Sequence, residues 1–400
     1  MTEPWTLLCA VVSMTMFVLT LCMQRAVVTV LRREPPSGGP APPISVLKPV
    51  KGVDEGLLLN LRALAEQDYP DFEILIGAEE ASDAALAVAR QLQREYPHLS
   101  IRVFWGSAAL GLNPKVNTLA LLARAARHDH LLLSDSNVRP RRDYLKAMAA
   151  ELVDQRVGLV WSLLSGVGGR GIGAVLENLH MNTFVAAAVC GADVISGHSC
   201  VIGKSMLLRR RQLEELGGFS ALANVLAEDY VLGQLYARAG YKVALSAHVL
   251  DAVHDERRVL DFAARHLRWS QMRRWIHPGL FLLEPLSNAT VGLLFTLLLA
   301  ATGAPEARLS GAVLGAIALG AFIVKTVLDA RLVRRLGGRS PGVSLFLWMV
   351  VKDLLIAAVW ALALVRRRVS WRGHTLQIGP GSVLSSPGSR RAPLPLAEPG

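Results

Sequence analysis

An α/β domain held between two apolar regions is the fold class this sequence predicts, and three observations predict it. Between residues 34 and 280, short β-branched runs alternate with amphipathic helical patterns, which is how a parallel sheet with covering helices reads. Residues 5–23 carry no charge, and residues 285–304 and 309–324 are likewise uncharged on either side of 305–308. Hydrophobic residues make up 52% of the 400, above the roughly 45–50% of a soluble domain.

The elements of the sheet follow in order. Residues 44–48 (ISVLK) compose a buried strand, 57–66 a helix, 72–77 (FEILIG) a second strand and 82–96 a second helix. Residues 101–104 and 130–134 (HLLLS) continue the sheet, with a helix over about 115–127 between them. No internal repeat and no Gly-rich phosphate fingerprint occurs. In parallel α/β sheets ligands bind beyond the carboxyl ends of the strands. Three carboxylates fall there: Asp83 shortly after the second strand, Asp135 at the end of the fourth, and Asp229 in the run LAEDY at 226–230. Each has a second reading. Asp83 opens a helix and complements its dipole, Asp135 in Ser134-Asp135-Ser136-Asn137 can serve a turn, and Asp229 can cap the helix after it.

The apolar regions read as membrane elements. The 19 residues of 5–23 approach the roughly 20 that span a bilayer core as a helix. Glu3, the lack of a basic residue before the segment and the lack of a small-residue cleavage site favour a retained anchor over a signal peptide. Residues 285–304 and 309–324 form a helical hairpin. Residues 343–365 are long enough to span, but Lys352 and Asp353 sit at their middle, so the segment either carries function or breaks into an interfacial piece and a shorter span. Arg32 and Arg33, and then Arg331, Arg334, Arg335 and Arg339, place the ends that they flank in the cytosol. Arg366, Arg367 and Arg368 would oppose that rule if every segment crossed. The expected organisation is an anchor at 1–33, a soluble domain at 34–280 with an interfacial helix near 260–280, a membrane region at 281–368 and a tail at 369–400. The Pro, Ser, Gly and Arg content of the tail predicts disorder from about 379.

The net charge of +11 suits anionic headgroups and an anionic sugar nucleotide, and no nucleic-acid motif is present. Cys9, Cys22, Cys190 and Cys200 have neither a disulfide framework nor metal-ligand spacing, which fits a reducing cytosol. The Ala, Arg, Gly and Leu bias points to a high-GC bacterium. Downstream lies a basic, aromatic cluster, Arg265-His266-Leu267-Arg268-Trp269 followed by Gln271-Met272-Arg273-Arg274-Trp275. It reads equally as a helix lying on a membrane surface and as a holder for a departing diphosphate, and the two readings are compatible. Transfer from a nucleotide sugar needs a divalent cation or such basic groups at the departing diphosphate, together with a base for the attacking hydroxyl.

Three spaced aspartates, then an (R/Q)xxRW element, in a chain with an N-terminal anchor and C-terminal apolar helices, resemble the ceramide glucosyltransferases, an inverting family with the GT-A fold. The resemblance covers residues 45–374 and rests on Leu47-Lys48-Pro49-Val50-Lys51-Gly52-Val53-Asp54, Gly111-Leu112-Asn113-Pro114-Lys115-Val116-Asn117, the 226–230 and 265–269 runs, Glu284-Pro285 and Ser370-Trp371-Arg372. It implies a Rossmann-like GT-A domain in the cytosol, with one N-terminal and two to three C-terminal transmembrane helices. The implied location is the bacterial cytoplasmic membrane, or the Golgi or ER membrane in a eukaryote. The implied reaction transfers glucose from UDP-glucose to ceramide. Asp83 matches the first aspartate, near the nucleotide, a role that Glu80 could share. Asp135 matches the second, which contacts the sugar nucleotide and a metal, Mg²⁺ or Mn²⁺. Asn137 stands where a DxD motif would place its second acid. Asp229 matches the third, the catalytic base. Arg265, Arg268 and Trp269 match the (R/Q)xxRW element at the diphosphate or the acceptor. The 271–275 run also satisfies that pattern, but the spacing from 265–269 to Glu284-Pro285 agrees with the family. Lys115 and Asn117 resemble loop residues near the nucleotide, and His198 falls near the expected acceptor cleft or is packed or solvated. The resemblance leaves open a UDP-N-acetylglucosamine-dependent enzyme acting on a hopanoid or other lipid. A processive polysaccharide synthase has too few spans here for a polymer channel. A non-enzymatic membrane lipid-binding or transport protein gives the soluble α/β domain no purpose.

Overall fold

The computed structural model describes residues 4–34, 36, 39, 41–302, 308–339, 341–371 and 374–386, and it falls into two units. One unit, Val30–Ser165 with Ser196–His254 and Arg367–Gly400, carries the sheet. Its strands are β1 (Ile44–Pro49), β2 (Phe72–Ala78), β3 (Ser100–Trp105), β4 (His130–Ser134), β5 (Val138–Arg139), β6 (Val157–Val167), β7 (Ser205–Arg209) and β8 (Lys242–Val253), in the spatial order β3-β2-β1-β4-β7-β6-β8-β5. β1 and β2 are buried along their whole length, as strands covered on both faces must be, and this is why they read as mostly apolar runs. The four strands read from the sequence are the four that pair in parallel: β2 with β1 and β3, and β1 with β4. Beyond β4 the sheet is mixed, since β7 is antiparallel to both β4 and β6, and β5 to β8.

The helices that follow β1, β2 and β3 begin at the carboxyl ends of those strands. Ala84–Glu95 buries Ala85, Leu86, Ala89 and Leu92 on one face, and the Asp83 carboxylate caps it by accepting from the Ala85 amide at 2.9 Å. Pro114–Ala125 is capped by Asn113, whose Oδ1 accepts from the Val116 amide at 3.1 Å, and Pro114 occupies the first turn, where no amide is needed.

The tail departs from expectation. Residues 379–386 are not an unstructured terminus: Pro380–Ser382 forms a turn, and Leu384–Ser385 pairs with His374–Ile378, which pairs in turn with Arg368–Trp371. Apolar content is low there, but Val369, Leu376, Ile378 and Leu384 are all buried, and every second side chain turned inward suffices for a small sheet. Residues 387–400 lie outside the described part.

The other unit, Met1–Thr29, Gly166–Ile195 and Asp255–Arg366, is helical. Among the described residues, Leu7–Leu31, Ile172–Ser196, Gly311–Arg335 and Gly342–Ala363 are long and apolar enough to cross a membrane, and Pro278–Ser287 with Ala289–Ala301 makes a further pair bent by 55°. The run Ile172–Ser196 is absent from the sequence expectations because Glu177, His180 and Asn182 interrupt its pattern, and the structure buries all three. Leu345–Ala363 is one unbroken helix rather than an interfacial piece and a short span. Its central charges find partners: Lys352 pairs with Asp353, Lys325 Nζ lies 3.3 Å from Asp353 Oδ2 and 2.9 Å from Asp329 Oδ2, and Gln24 Nε2 donates to Asp329 Oδ1 at 2.6 Å. All four ionisable groups are at most 5% exposed, and their formal charges cancel. Removing one member of a buried network strands the others. Asp353→Ala should therefore lower stability in a membrane mimetic by about 3–5 kcal/mol, measured as detergent-solubilised thermal or denaturant unfolding.

Candidate active site

The sheet places three of the sequence candidates together. β4 and β7 pair antiparallel with Ser134 opposite Ser205, so the residue after β4 meets the residue before β7. Asp135 accordingly donates its amide to the Lys204 carbonyl at 3.1 Å. The Asp135 carboxylate sits between two ammonium groups, Lys115 Nζ at 2.9 Å and Lys204 Nζ at 4.0 Å. Lys115, at the start of Pro114–Ala125, also pairs with Glu228 Oε1 at 2.9 Å and donates to the Gly203 carbonyl at 3.1 Å. Glu228 and Asp229 open the helix Glu228–Arg238, whose N-terminal amides favour their negative charge. Asp229 Oδ2 accepts from the Gly203 amide at 2.5 Å, and Oδ1 from its neighbour's amide at 2.8 Å. A Cβ on Gly203 would lie 2.6 Å from the Asp229 Cβ, so only glycine permits this approach.

The electrostatics follow from this packing. Burial, and then the Glu228 carboxylate, push Asp229 up to about 6, while Lys115 and the two amides pull it back. For Lys115, the charges of Asp135, Glu228 and Asp229 outweigh burial and hold the ammonium above its usual range. Lys48, at the end of β1, is fully buried beneath Asp135 and donates to its carbonyl at 2.5 Å and to Ser134 Oγ at 3.0 Å. Burial lowers it to about 7 against the opposing pull of Asp135 and Asp54.

The remaining candidates have other surroundings. Asp83 combines the capping role with a second one, because both its oxygens accept from the Gly52 amide at 3.0 Å and so tie the loop after β1 to the helix after β2. Asn117 is buried, and its side chain holds the 110–117 loop closed through the Leu110 and Gly111 amides and the Gly111 carbonyl. His198 Nε2 lies 3.1 Å from the Tyr230 hydroxyl. Asn137 Oδ1 accepts from Lys204 Nζ at 2.5 Å. Sequence reasoning missed Lys48 and Lys204. Lys48 sits near the end of β1 and Lys204 immediately precedes β7, so only strand pairing brings them to Asp135.

In the helical unit, Arg265, Arg268 and Trp269 lie on the helix Val259–Ile276, and the Arg265 guanidinium stacks 4.7 Å from the Trp269 ring. The second (R/Q)xxRW run is committed to packing. Gln271 Nε2 donates to the Arg366 carbonyl at 3.2 Å, Arg274 Nη1 to the Ala363 carbonyl at 2.9 Å, and Arg273 forks onto Glu284 at 2.7 and 2.8 Å. Of these contacts, the Arg274 bond caps the carbonyl end of Leu345–Ala363.

The family model for glycosyl transferase family 21 matches residues 5–384. This chain belongs to that family. It is therefore a glycosyltransferase. The chain is similar to ceramide glucosyltransferase 3 of Caenorhabditis elegans, 26% identical over 356 residues, with 86% of this chain and 75% of that protein covered. Ceramide glucosyltransferase 1 of the same organism is 30% identical over 255 residues, covering 63% of this chain and 54% of the relative. A mannosyltransferase from Pyrobaculum calidifontis, solved with GDP-Man and Mn²⁺, aligns over 89% of this chain and 99% of its own at 17% identity and a TM-score of 0.50, a likeness of fold. The mixed sheet is the GT-A sheet of the family 21 resemblance.

The small C-terminal sheet braces this site. Ser382 accepts the Leu226 amide on its carbonyl at 2.9 Å and the Ala227 amide on its hydroxyl at 3.0 Å, and the Leu384 amide donates to Asn224 at 2.7 Å. Truncation after residue 378 should abolish transfer, whereas truncation after 386 should leave it near wild type; activity of both forms in the same membrane preparation checks this. The acid limb of the pH–rate profile is expected near pH 6. Lys115 favours ionised Asp229, so Lys115→Met should move that limb to higher pH, read from kcat/KM between pH 5 and 8 by the residual activity.

Proposed function

We propose that this family 21 enzyme transfers glucose from UDP-glucose to ceramide by single displacement with inversion, with Asp229 as the base. The observation that carries the reading is the Asp229 carboxylate fixed by the Gly203 amide, raised to about 6 and next to the Lys115 pairs with Asp135 and Glu228. Such a carboxylate is ionised at neutral pH yet basic enough to take the proton of a lipid hydroxyl as that oxygen attacks the anomeric carbon. UDP then leaves, and the configuration inverts. Asp83, Lys115, Asn117 and Asp135 are assigned to the nucleotide-sugar end. Arg265, Arg268 and Trp269 are assigned to the diphosphate or the acceptor, as the family resemblance has them.

A divalent ion suits the donor set in one form. Among the described residues no three His, Cys, Asp or Glu side chains converge on one point. Asp135, with its side chain 28% exposed, is the carboxylate of the cluster open enough to share an ion with the donor's phosphates, the manner in which Mg²⁺ and Mn²⁺ are commonly held. When bound there, Mg²⁺ or Mn²⁺ would neutralise charge on the departing diphosphate. Lys115 and Lys204 supply fixed positive charge at the same carboxylate, and Lys115 keeps it from repelling the donor. The apolar helices suit an integral membrane enzyme working at the headgroup plane, with the sheet unit in the cytosol.

Purified enzyme given labelled UDP-glucose and UDP-N-acetylglucosamine, with ceramide, diacylglycerol and hopanoid acceptors, tests the reading. Glucosylceramide formation that falls by about 10²–10⁴ in Asp229→Asn is the expected result. Transfer of N-acetylglucosamine to a hopanoid would keep the base and replace both substrates.

A further inference from the structure

The helix Ile172–His180 carries a carboxylate where its apolar pattern has no use for one. Glu177 is fully buried, and three basic side chains converge on it: Arg257 Nη1 at 3.2 Å from Oε2, Arg265 Nε at 3.5 Å from Oε1 and His266 Nε2 at 3.3 Å from Oε1. Two of these belong to the 265–269 element, and the third lies in the segment that leads into its helix. The backbone is built for this meeting. The amides of Arg170 and Gly171 donate to the Asp255 carbonyl at 2.8 and 3.2 Å, which lays the start of one helix against the approach to the other. A Cβ on Gly173 would come within 2.2 Å of the Arg258 carbonyl oxygen, so glycine sets the closeness of the two segments. One turn on, Leu176 and Phe262 share a buried cluster with Ile356, and Glu177 comes to face Arg265.

We propose that Glu177 is the positioning residue of the 265–269 element, holding Arg265 by its charge so that the guanidinium keeps one orientation against Trp269. A buried carboxylate demands cationic partners, and a long arginine side chain loses its freedom most completely when a charge holds one edge and an aromatic ring the other. His266 seals the same carboxylate from water, since its ring is buried against Phe262 and meets Trp269 edge-on at 5.4 Å. Arg257 brings a second cation to the same carboxylate, 3.2 Å from Oε2. The inference rests on the proposed role of the 265–269 element in transfer.

A double-mutant cycle in kcat and kcat/KM tests it, with Glu177→Gln, Arg265→Ala and the pair, and thermal unfolding of each in detergent as the control. Glu177→Gln should lower kcat by about tenfold in the wild-type background and by less than about twofold once Arg265 is alanine. Glu177→Asp, which keeps the charge, should recover most of the loss, and it replaces Glu177→Gln in the cycle if that variant does not fold. Additive effects, or wild-type kinetics for Glu177→Gln, would overturn the positioning role and leave the element's function standing. Full turnover by Arg265→Ala would overturn the function of the element, and the inference with it.

Discussion

One ammonium group organises the candidate site. Lys115 Nζ reaches Asp135 at the end of a sheet strand and Glu228 at the start of a helix, so a single side chain couples two elements far apart in the chain. Without it, Asp135, Glu228 and Asp229 would gather uncompensated negative charge at one point. With it, the local field is close to balanced, and the basicity of Asp229 is set by burial and by its neighbour rather than by unchecked repulsion. Lys204 and Lys48 extend the same logic to the face and the floor of Asp135. Gly203 completes it, since its amide and carbonyl serve Asp229 and Lys115 from one peptide segment.

Much of this was legible in the sequence, for identifiable reasons. β1 to β4 announce themselves because each is a short run dominated by apolar residues, and the helix Ala84–Glu95 after β2 has one apolar face. The positions of Asp135 and Asp229 followed from strand ends and from the family pattern. Four things were hidden. The antiparallel half of the sheet pairs across long separations that no local periodicity records. Lys48 and Lys204 look like ordinary surface lysines until the pairing of β1 and of β7 with β4 puts them around Asp135. Glu177 breaks an apolar run and so conceals a helix long enough to span a bilayer. The C-terminal sheet is made of residues whose composition resembles a linker, and its order comes from pairing and from the contacts at 224–227.

The helical unit meets the converse problem, charge inside an apolar setting. It solves it twice by convergence. Lys325, Asp329, Lys352 and Asp353 cancel one another across Arg308–Arg335 and Leu345–Ala363, and Glu177 gathers Arg257 and Arg265. Neither set could be read from one segment alone, because each looks unfavourable until its partners are in place. Such groups fix the register of neighbouring helices more sharply than Leu and Val contacts can, since a one-residue slip would leave a charge unmatched.

The bracing of residues 224–227 by Ser382 and Leu384 also has a meaning in time. A chain made from its N-terminus acquires the sheet, the aspartates and the apolar helices before it acquires the strand that holds the Glu228–Asp229 corner. During synthesis the nascent chain therefore carries these charged groups but lacks the last support for the Glu228–Asp229 corner. That support arrives only with residues 382–384, after the preceding helices have been made.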